Sequence, residues 1–152
     1  MIMASSFISV NIHFVFSTKK RQKLIEKNMR PRLWAYMGGI AKQNKMVALA
    51  VGGTDNHAHL LISIPATISP SKAVQLIKAG SSKWIHEEFP YKDEFAWQVG
   101  YSAFSVSPKR IQPVIDYIYN QEEHHKTKSF EQEYIAFLKS TGFEYDEKYI
   151  WG

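Results

Sequence analysis

The sequence predicts an α+β domain on the split βαβ, ferredoxin-like plan: an antiparallel sheet with helices packed on one face, plus C-terminal helices. Three observations carry that prediction. The first six elements read β-α-β-β-α-β along the chain. The opening segment alternates with a period of two, the signature of a strand. The 152 residues are 45% hydrophobic and 22% charged, which supports a packed core and argues against global disorder. One domain over residues 1–152 is expected, because no repeat, linker or low-complexity stretch divides the chain.

In Phe7–Ser17, Ile8, Val10, Ile12, Phe14 and Phe16 form one wholly apolar set. That describes a half-buried strand whose other face carries Asn11 and His13. Helical spacing of Leu33, Tyr36, Met37, Ile40 and Ala41 predicts a helix from about Lys23 to Asn44, with Pro31 suited to its early part. The run 46–51 (MVALAV), punctuated by Gly52-Gly53, and His57–Ile64 (HAHLLISI) predict an antiparallel hairpin. Beyond a turn-rich connection, Ala73, Val74, Leu76, Ile77, Trp84 and Ile85 give a helix over Ser71–Glu88 its apolar stripe. Phe95–Ser105 reads as an aromatic-rich strand. Ser107 as N-cap and Pro108 as first helical residue open a helix running to about His124. A last helix covers roughly Phe130 to Ser140, and the tail FEYDEKYIWG is amphipathic, suited to docking on the body or on a partner.

Composition narrows the function. The chain has no cysteine, which excludes disulfides, thiolate zinc sites and cysteine nucleophiles. No apolar run approaches the ~20 residues of a membrane span. The opening MIMASSFISV lacks the basic start of a signal peptide, so a cytoplasmic protein is expected. Nineteen Lys+Arg against 14 Asp+Glu give +5, which permits a polyanionic partner. Lys19, Lys20, Arg21 and Lys23 cluster; Lys78, Lys83, Lys109 and Arg110 are further candidates for phosphate contact. Such contacts fix position without reading sequence. Trp97, Tyr101 and Phe104 could stack on unpaired bases, although strand spacing suits at least half of them to core packing.

Two short patterns carry chemistry. His57-Ala58-His59 on a strand puts both imidazoles on one face, able to share a divalent metal, with Ala58 turned toward the packed helices. Asp55 and Asn56 are candidate partners that fix the imidazole tautomers. On the later helix, Tyr117 and Gln121 are neighbours at i and i+4. A tyrosine can attack phosphorus and form a phosphotyrosine. His57, His59 and Gln121 make an N,N,O set suited to Mg²⁺ or Mn²⁺, and the imidazoles would also accept Zn²⁺. Taken alone, each pattern reads first as an ordinary strand pair or an amphipathic helix; together they form a set. Tyr119 sits about 200° round the helix from Gln121 and should face away. His124 and His125 suit a helix C-terminus, though His125 is placed to approach the site, and His86 reads as surface.

NHAHLLISI resembles the HUH motif of single-strand DNA endonucleases, and FAWQVGYSAFSVSPKRIQPVIDYIYNQEEHH resembles the second signature of the single-tyrosine HUH transposases of bacterial insertion sequences. The REP-associated tyrosine transposases are relatives. NIHFVFSTKKRQ is similar to that family's opening strand and basic turn, so the resemblance covers about residues 7–130. It implies an RRM-like sheet, His57, His59 and Gln121 as metal ligands, and Tyr117 as nucleophile. It further implies a homodimer in which the tyrosine helix can complete the partner's site, and single-stranded DNA hairpins as substrate. One strand is cut, the 5′ end is held as phosphotyrosine and a 3′-OH is released. Ala58 is smaller than the usual middle residue, and His13 stands where a hydrophobic residue is usual. A domesticated REP-associated hairpin nuclease would use the same chemistry. A non-catalytic RRM-like nucleic-acid-binding module would not need this residue set, and the RNP1 pattern is absent. A metallohydrolase acting on a small molecule finds no acidic pair or phosphate loop here.

Overall fold

The computed structural model describes residues 5–151. Residues 1–4, part of the opening motif, and Gly152 lie outside the described residues. Strands β1 (Asn11–Ser17), β2 (Val47–Gly53), β3 (His57–Ser63) and β4 (Ser102–Ser105) form one antiparallel sheet of order β2-β3-β1-β4. Helices α1 (Arg30–Gln43) and α2 (Pro70–Glu88) cover one face. There Ile12, Phe14 and Phe16 of β1 and Ala58, Leu60 and Ile62 of β3 meet Leu33, Met37 and Ile40 of α1 and Val74, Ile77 and Ile85 of α2. Each of the Leu, Ile, Val, Phe and Met side chains among them contributes about 1.5–3 kcal/mol when fully buried. The α+β fold is the one the element order predicts.

The other face is covered as well. All seven residues of β1 are buried, so the strand is not half exposed. Its polar side, Asn11 and His13 included, lies beneath the C-terminal helices α3 (Ile111–Tyr119), α4 (Gln121–His124) and α5 (Phe130–Ser140). Ile118 of α3 packs on Ala50 and Leu61. Phe130, Tyr134 and Leu138 of α5 pack with Val15 and Phe104. Residues Tyr145, Ile150 and Trp151 of the tail join this second cluster, so the amphipathic tail docks on the body of its own chain.

Three boundaries differ from the sequence expectation. α1 begins at Arg30 rather than near Lys23, with Pro31 in its first turn. The preceding segment is held as a loop because Leu24, Ile25 and Met29 are buried in the core and the Ile25 amide donates to the Asp55 carbonyl at 2.9 Å. The strand expected over Phe95–Ser105 shrinks to β4. Trp97 keeps only an isolated bridge to Thr18, and Gly100 takes φ 98°, a conformation that breaks the ladder. The helix expected from Ser107 starts as a 3₁₀ turn (Pro108–Arg110), and Ser107 makes no side-chain cap. It is interrupted at Asn120 (φ −97°, ψ 18°), which separates α3 from α4.

Two details of β2 set how closely α3 approaches. Leu49 is an extra residue between the pairs Ala48↔Ile62 and Ala50↔Leu61, a β-bulge. Beyond it, Gly52 pairs with His59 and shares its face. A Cβ at Gly52 would lie 2.6 Å from the Ile118 carbonyl oxygen, so only glycine admits α3 at this distance.

Candidate active site

Alternation along β3 turns His57 and His59 to the face beneath α3–α5, while Ala58 points into the core under α1 and α2. Both imidazoles are fully buried, and Gln121 is 1% exposed rather than the surface amide of a plain amphipathic helix. His57 Nε2 lies 2.8 Å from Gln121 Oε1. His59 Nε2 lies 2.9 Å from Glu133 Oε1, on α5. The Tyr117 hydroxyl donates to Glu133 Oε2, and the Gln121 amide nitrogen donates to the same oxygen at 3.2 Å. Tyr117 and His59 rings are 5.8 Å apart. The structure thus brings His57, His59, Tyr117 and Gln121 into one cluster, while Tyr119 is exposed to solvent.

The orientation of each ring follows from its second nitrogen. His57 Nδ1 is 2.9 Å from Asn56 Oδ1, and the Asn56 amide nitrogen is spent on the Arg21 carbonyl. The Asn56 oxygen therefore faces His57, and Nδ1 carries the proton. Asp55 makes no contact with either imidazole; its carboxylate takes a 3.5 Å contact from Thr54. His59 Nδ1 pairs with His13 Nε2 at 2.8 Å, which gives His13 a structural reason. His125 Nδ1 donates to the Lys128 carbonyl at 2.6 Å, leaving Nε2 3.0 Å from Gln121 Oε1 and 3.3 Å from Glu133 Oε2.

Burial, with the neighbouring His59, pushes both His13 and His57 down to about 3, so both rings are neutral at pH 7. Burial also raises the Tyr117 phenol well above its usual range, and the Glu133 charge adds to that. For Glu133, burial raises the carboxyl, but hydrogen bonds from His125 and His59 and the nearby imidazoles outweigh it and hold it below the usual range.

A neutral His57 protonated at Nδ1 presents a lone pair from Nε2 toward Gln121 Oε1, itself an acceptor. Two lone pairs facing each other at 2.8 Å repel unless a cation lies between them. Donors on one small divalent cation, each about 2.1 Å from it, stand about 3–4 Å apart. One ligand atom each of His57, His125 and Glu133 lies within 4.8 Å of the others. His57, His125 and Glu133, with Gln121 Oε1 beside His57, therefore fit one divalent cation, while both ring nitrogens of His59 are taken up by His13 and Glu133.

The other expected contacts divide. Lys19, Lys20, Lys83, Lys109 and Arg110 are exposed, with Lys83 4.0 Å from Glu87. Arg21 is engaged internally, 3.9 Å from Glu131 and stacked 4.5 Å over Trp151. Lys78 donates to the Gln98 and Gly100 carbonyls at 2.6 and 2.8 Å, a structural clamp. Trp97 and Phe104 are buried and Tyr101 is exposed. His86 is exposed, as read. Beside His125 opens a cleft of about 500 Å³ lined by Lys23, Lys27, Arg30, Asn56 and Lys126, among others.

Glu133 and His13 were not among the sequence candidates. Glu133 had a signal: it sits on the stripe of Phe130, Tyr134, Phe137 and Leu138, where a charge is out of place. His13 stood out only as a departure from the usual hydrophobic residue, and its role was not readable locally because its partner is 46 residues away.

Comparison with known proteins bears on the fold and the family. The family described as "Transposase IS200 like" matches residues 6–121. The transposases for insertion sequence element IS200 of Salmonella typhimurium and Salmonella typhi are each 26% identical over 119 residues, which is 75% of this chain and 78% of the relative. A crystal structure of a candidate transposase from Deinococcus radiodurans R1 superposes with TM-score 0.64 at 21% identity, covering 80% of this chain and 97% of that one. A REP-associated tyrosine transposase bound to a REP hairpin superposes with TM-score 0.59 at 15% identity, covering 82% and 74%. With most of its length inside the matched segment, and the histidine pair, tyrosine and glutamine gathered beneath its C-terminal helices, this chain belongs to the IS200-like transposase family.

Proposed function

We propose that this transposase cuts and rejoins single-stranded DNA at hairpin-marked ends, with Tyr117 as nucleophile and a divalent cation held by His57, His59 and Gln121. The observation that carries the reading is the convergence of Tyr117 and Gln121 on a histidine pair some 60 residues earlier: the tyrosine hydroxyl and His59 share the two oxygens of one carboxylate. The Tyr117 oxygen attacks the scissile phosphorus, the P–O3′ bond breaks, the 5′ phosphate stays on Tyr117 and the 3′ end leaves as hydroxyl. Mg²⁺ or Mn²⁺ in this site would polarise the phosphate and stabilise the leaving oxygen. Attack of a 3′-OH on the phosphotyrosine reverses the step and rejoins strands without ATP.

The chain's own residues hold the reactants. Glu133 and the π-face neighbours His59, His124 and Phe137 fix the phenol. Asn56 and His13 fix the imidazoles. The cleft next to His125 carries Asp55, Glu122 and Glu131 as well as lysines, with Arg30 and Lys126 paired to Glu122 and Glu123, so Lys23 and Lys27 are the side chains it offers the DNA backbone in place of the internally engaged Lys78 and Arg21. Within one chain the Tyr117 and His59 rings are 5.8 Å apart; a homodimer that exchanges the tyrosine helix would set Tyr117 against the other subunit's histidines in the same way.

The test is incubation with each labelled single strand flanking its own gene, with Mg²⁺ or Mn²⁺ and then with EDTA. A metal-dependent covalent adduct on a denaturing gel, lost in Tyr117→Phe while hairpin binding persists, is the expected result. Binding without any adduct would favour the non-catalytic module. Hairpins scattered through a genome rather than flanking the gene would favour a domesticated nuclease.

A further inference from the structure

We propose that Glu133 is itself a ligand of the divalent cation, so that the metal ties α5 to the sheet. The assignment rests on the metal-site reading above and adds to it a residue beyond the family match, which ends at 121. Three observations support it.

The first is position. Glu133 Oε1 lies 2.9 Å from His59 Nε2 and 3.7 Å from His57 Nε2, and the other oxygen lies 3.2 Å from the Gln121 amide nitrogen. The carboxylate thus touches all three residues of the expected N,N,O set.

The second is charge. Glu133 is 1% exposed, and its described ion-pair partners are all histidines, with no lysine or arginine. Hydrogen bonds from Tyr117 and Gln121 offset part of the cost of burying this carboxylate, and a cation in direct reach would compensate its charge. Conversely, His57, His59 and Gln121 are neutral ligands, and a divalent ion on them alone would leave its whole charge uncompensated in a buried site. Each group supplies what the other lacks.

The third is local sequence. α5 is fastened at its start by a capping box between Ser129 and Gln132, which fixes the first turn and with it Glu133. Phe130 stacks on His57 at 4.4 Å, so the same turn is held against the histidine pair from two sides.

Isothermal titration of Mn²⁺ into EDTA-stripped, DNA-free protein tests the assignment, with Glu133→Gln, Glu133→Asp and His57→Ala alongside wild type. Glu133→Gln keeps the shape and removes the charge, and is expected to weaken Mn²⁺ binding at least tenfold. Glu133→Asp, which keeps the carboxylate, should fall between. Hydrogen exchange on the unmodified protein should show Mn²⁺ protecting the α5 amides, a readout that needs no variant. Equal or tighter Mn²⁺ binding by a folded Glu133→Gln would overturn the proposal, as would α5 exchange indifferent to Mn²⁺. Tighter binding would mean that the carboxylate occupies the cation's place. Wild-type affinity in His57→Ala would instead overturn the underlying metal site, which separates the two failures.

Discussion

Gly52→Ala tests how the tyrosine helix is seated. The added Cβ would stand 2.6 Å from the Ile118 carbonyl oxygen and 3.1 Å from Ile118 Cγ2. An ordinary contact begins near 3.4 Å, so α3 must retreat by about 0.8 Å at this point. The nearest atom is backbone, so trimming a side chain cannot relieve it. Overpacking of this kind costs about 1–3 kcal/mol. At about 2–4 °C per kcal/mol for a chain of this size, Tm falls by about 2–12 °C. Tyr117 precedes Ile118, and Gln121 is three residues on, so both leave the histidines by a comparable distance. Misplacement near 1 Å costs about 10²-fold in rate. The assay pairs thermal unfolding with the rate of adduct formation on a hairpin substrate. Gly39→Ala is the control: it lies exposed within α1 with nothing within 4 Å of a built Cβ, and should stabilise by about 1 kcal/mol. A Gly52→Ala enzyme forming adduct within threefold of wild type would refute the seating argument.

Lys78→Met should destabilise the fold by about 1–2 kcal/mol in denaturant titration, because it removes two hydrogen bonds to the Gln98 and Gly100 carbonyls, while the salt dependence of DNA binding stays unchanged; a shallower salt slope would return Lys78 to the DNA contacts. In His13→Leu, His59 Nδ1 loses its partner, and Mn²⁺ affinity by calorimetry should fall about 10–100-fold; unchanged affinity would make His13 mere packing. Without metal, the unfolded chain protonates His13 and His57 below about pH 6.5 and the folded chain only near 3, so stability declines as pH falls across that window. At pH 5 the loss is about 2 kcal/mol for each ring, and Glu133, also depressed, adds a loss in the same direction at lower pH. A flat unfolding free energy between pH 7 and 5 in EDTA would contradict the buried neutral assignment.

What could be read from the sequence was whatever local periodicity encodes. The apolar set Ile12, Phe14 and Phe16 and the stripe of α2 specify one face of the sheet, and both lie in the main core. The histidine pair follows from the two-residue period, and Tyr117 with Gln121 from helical spacing. What remained hidden depends on contacts distant in sequence. The polar side of β1 alternates like a solvent face, yet helices some 100 residues later bury it. Lys78 and Arg21 look like free cations until the loop at Gln98 and the tail at Trp151 arrive. Asn120 interrupts a pattern that would otherwise read as one helix from Ile111 to His124.

The extra residue at Leu49 has a consequence for how this gene can vary in length. In a regular ladder without the bulge, each residue of β2 after Ala48 would swap faces, and Val51 rather than Gly52 would lie under Ile118. Loss of the codon for Leu49 would restore a regular ladder and still leave Gly52 opposite His59, at the cost of Leu49's own apolar contacts. Gain of one codon between Ala50 and Gly52 would do the reverse and turn the glycine away from the tyrosine helix. Strand β2 is therefore open to shortening at Leu49 and closed to lengthening just beyond it, between Ala50 and Gly52. That asymmetry would be visible as a pattern of gaps among descendants of this gene.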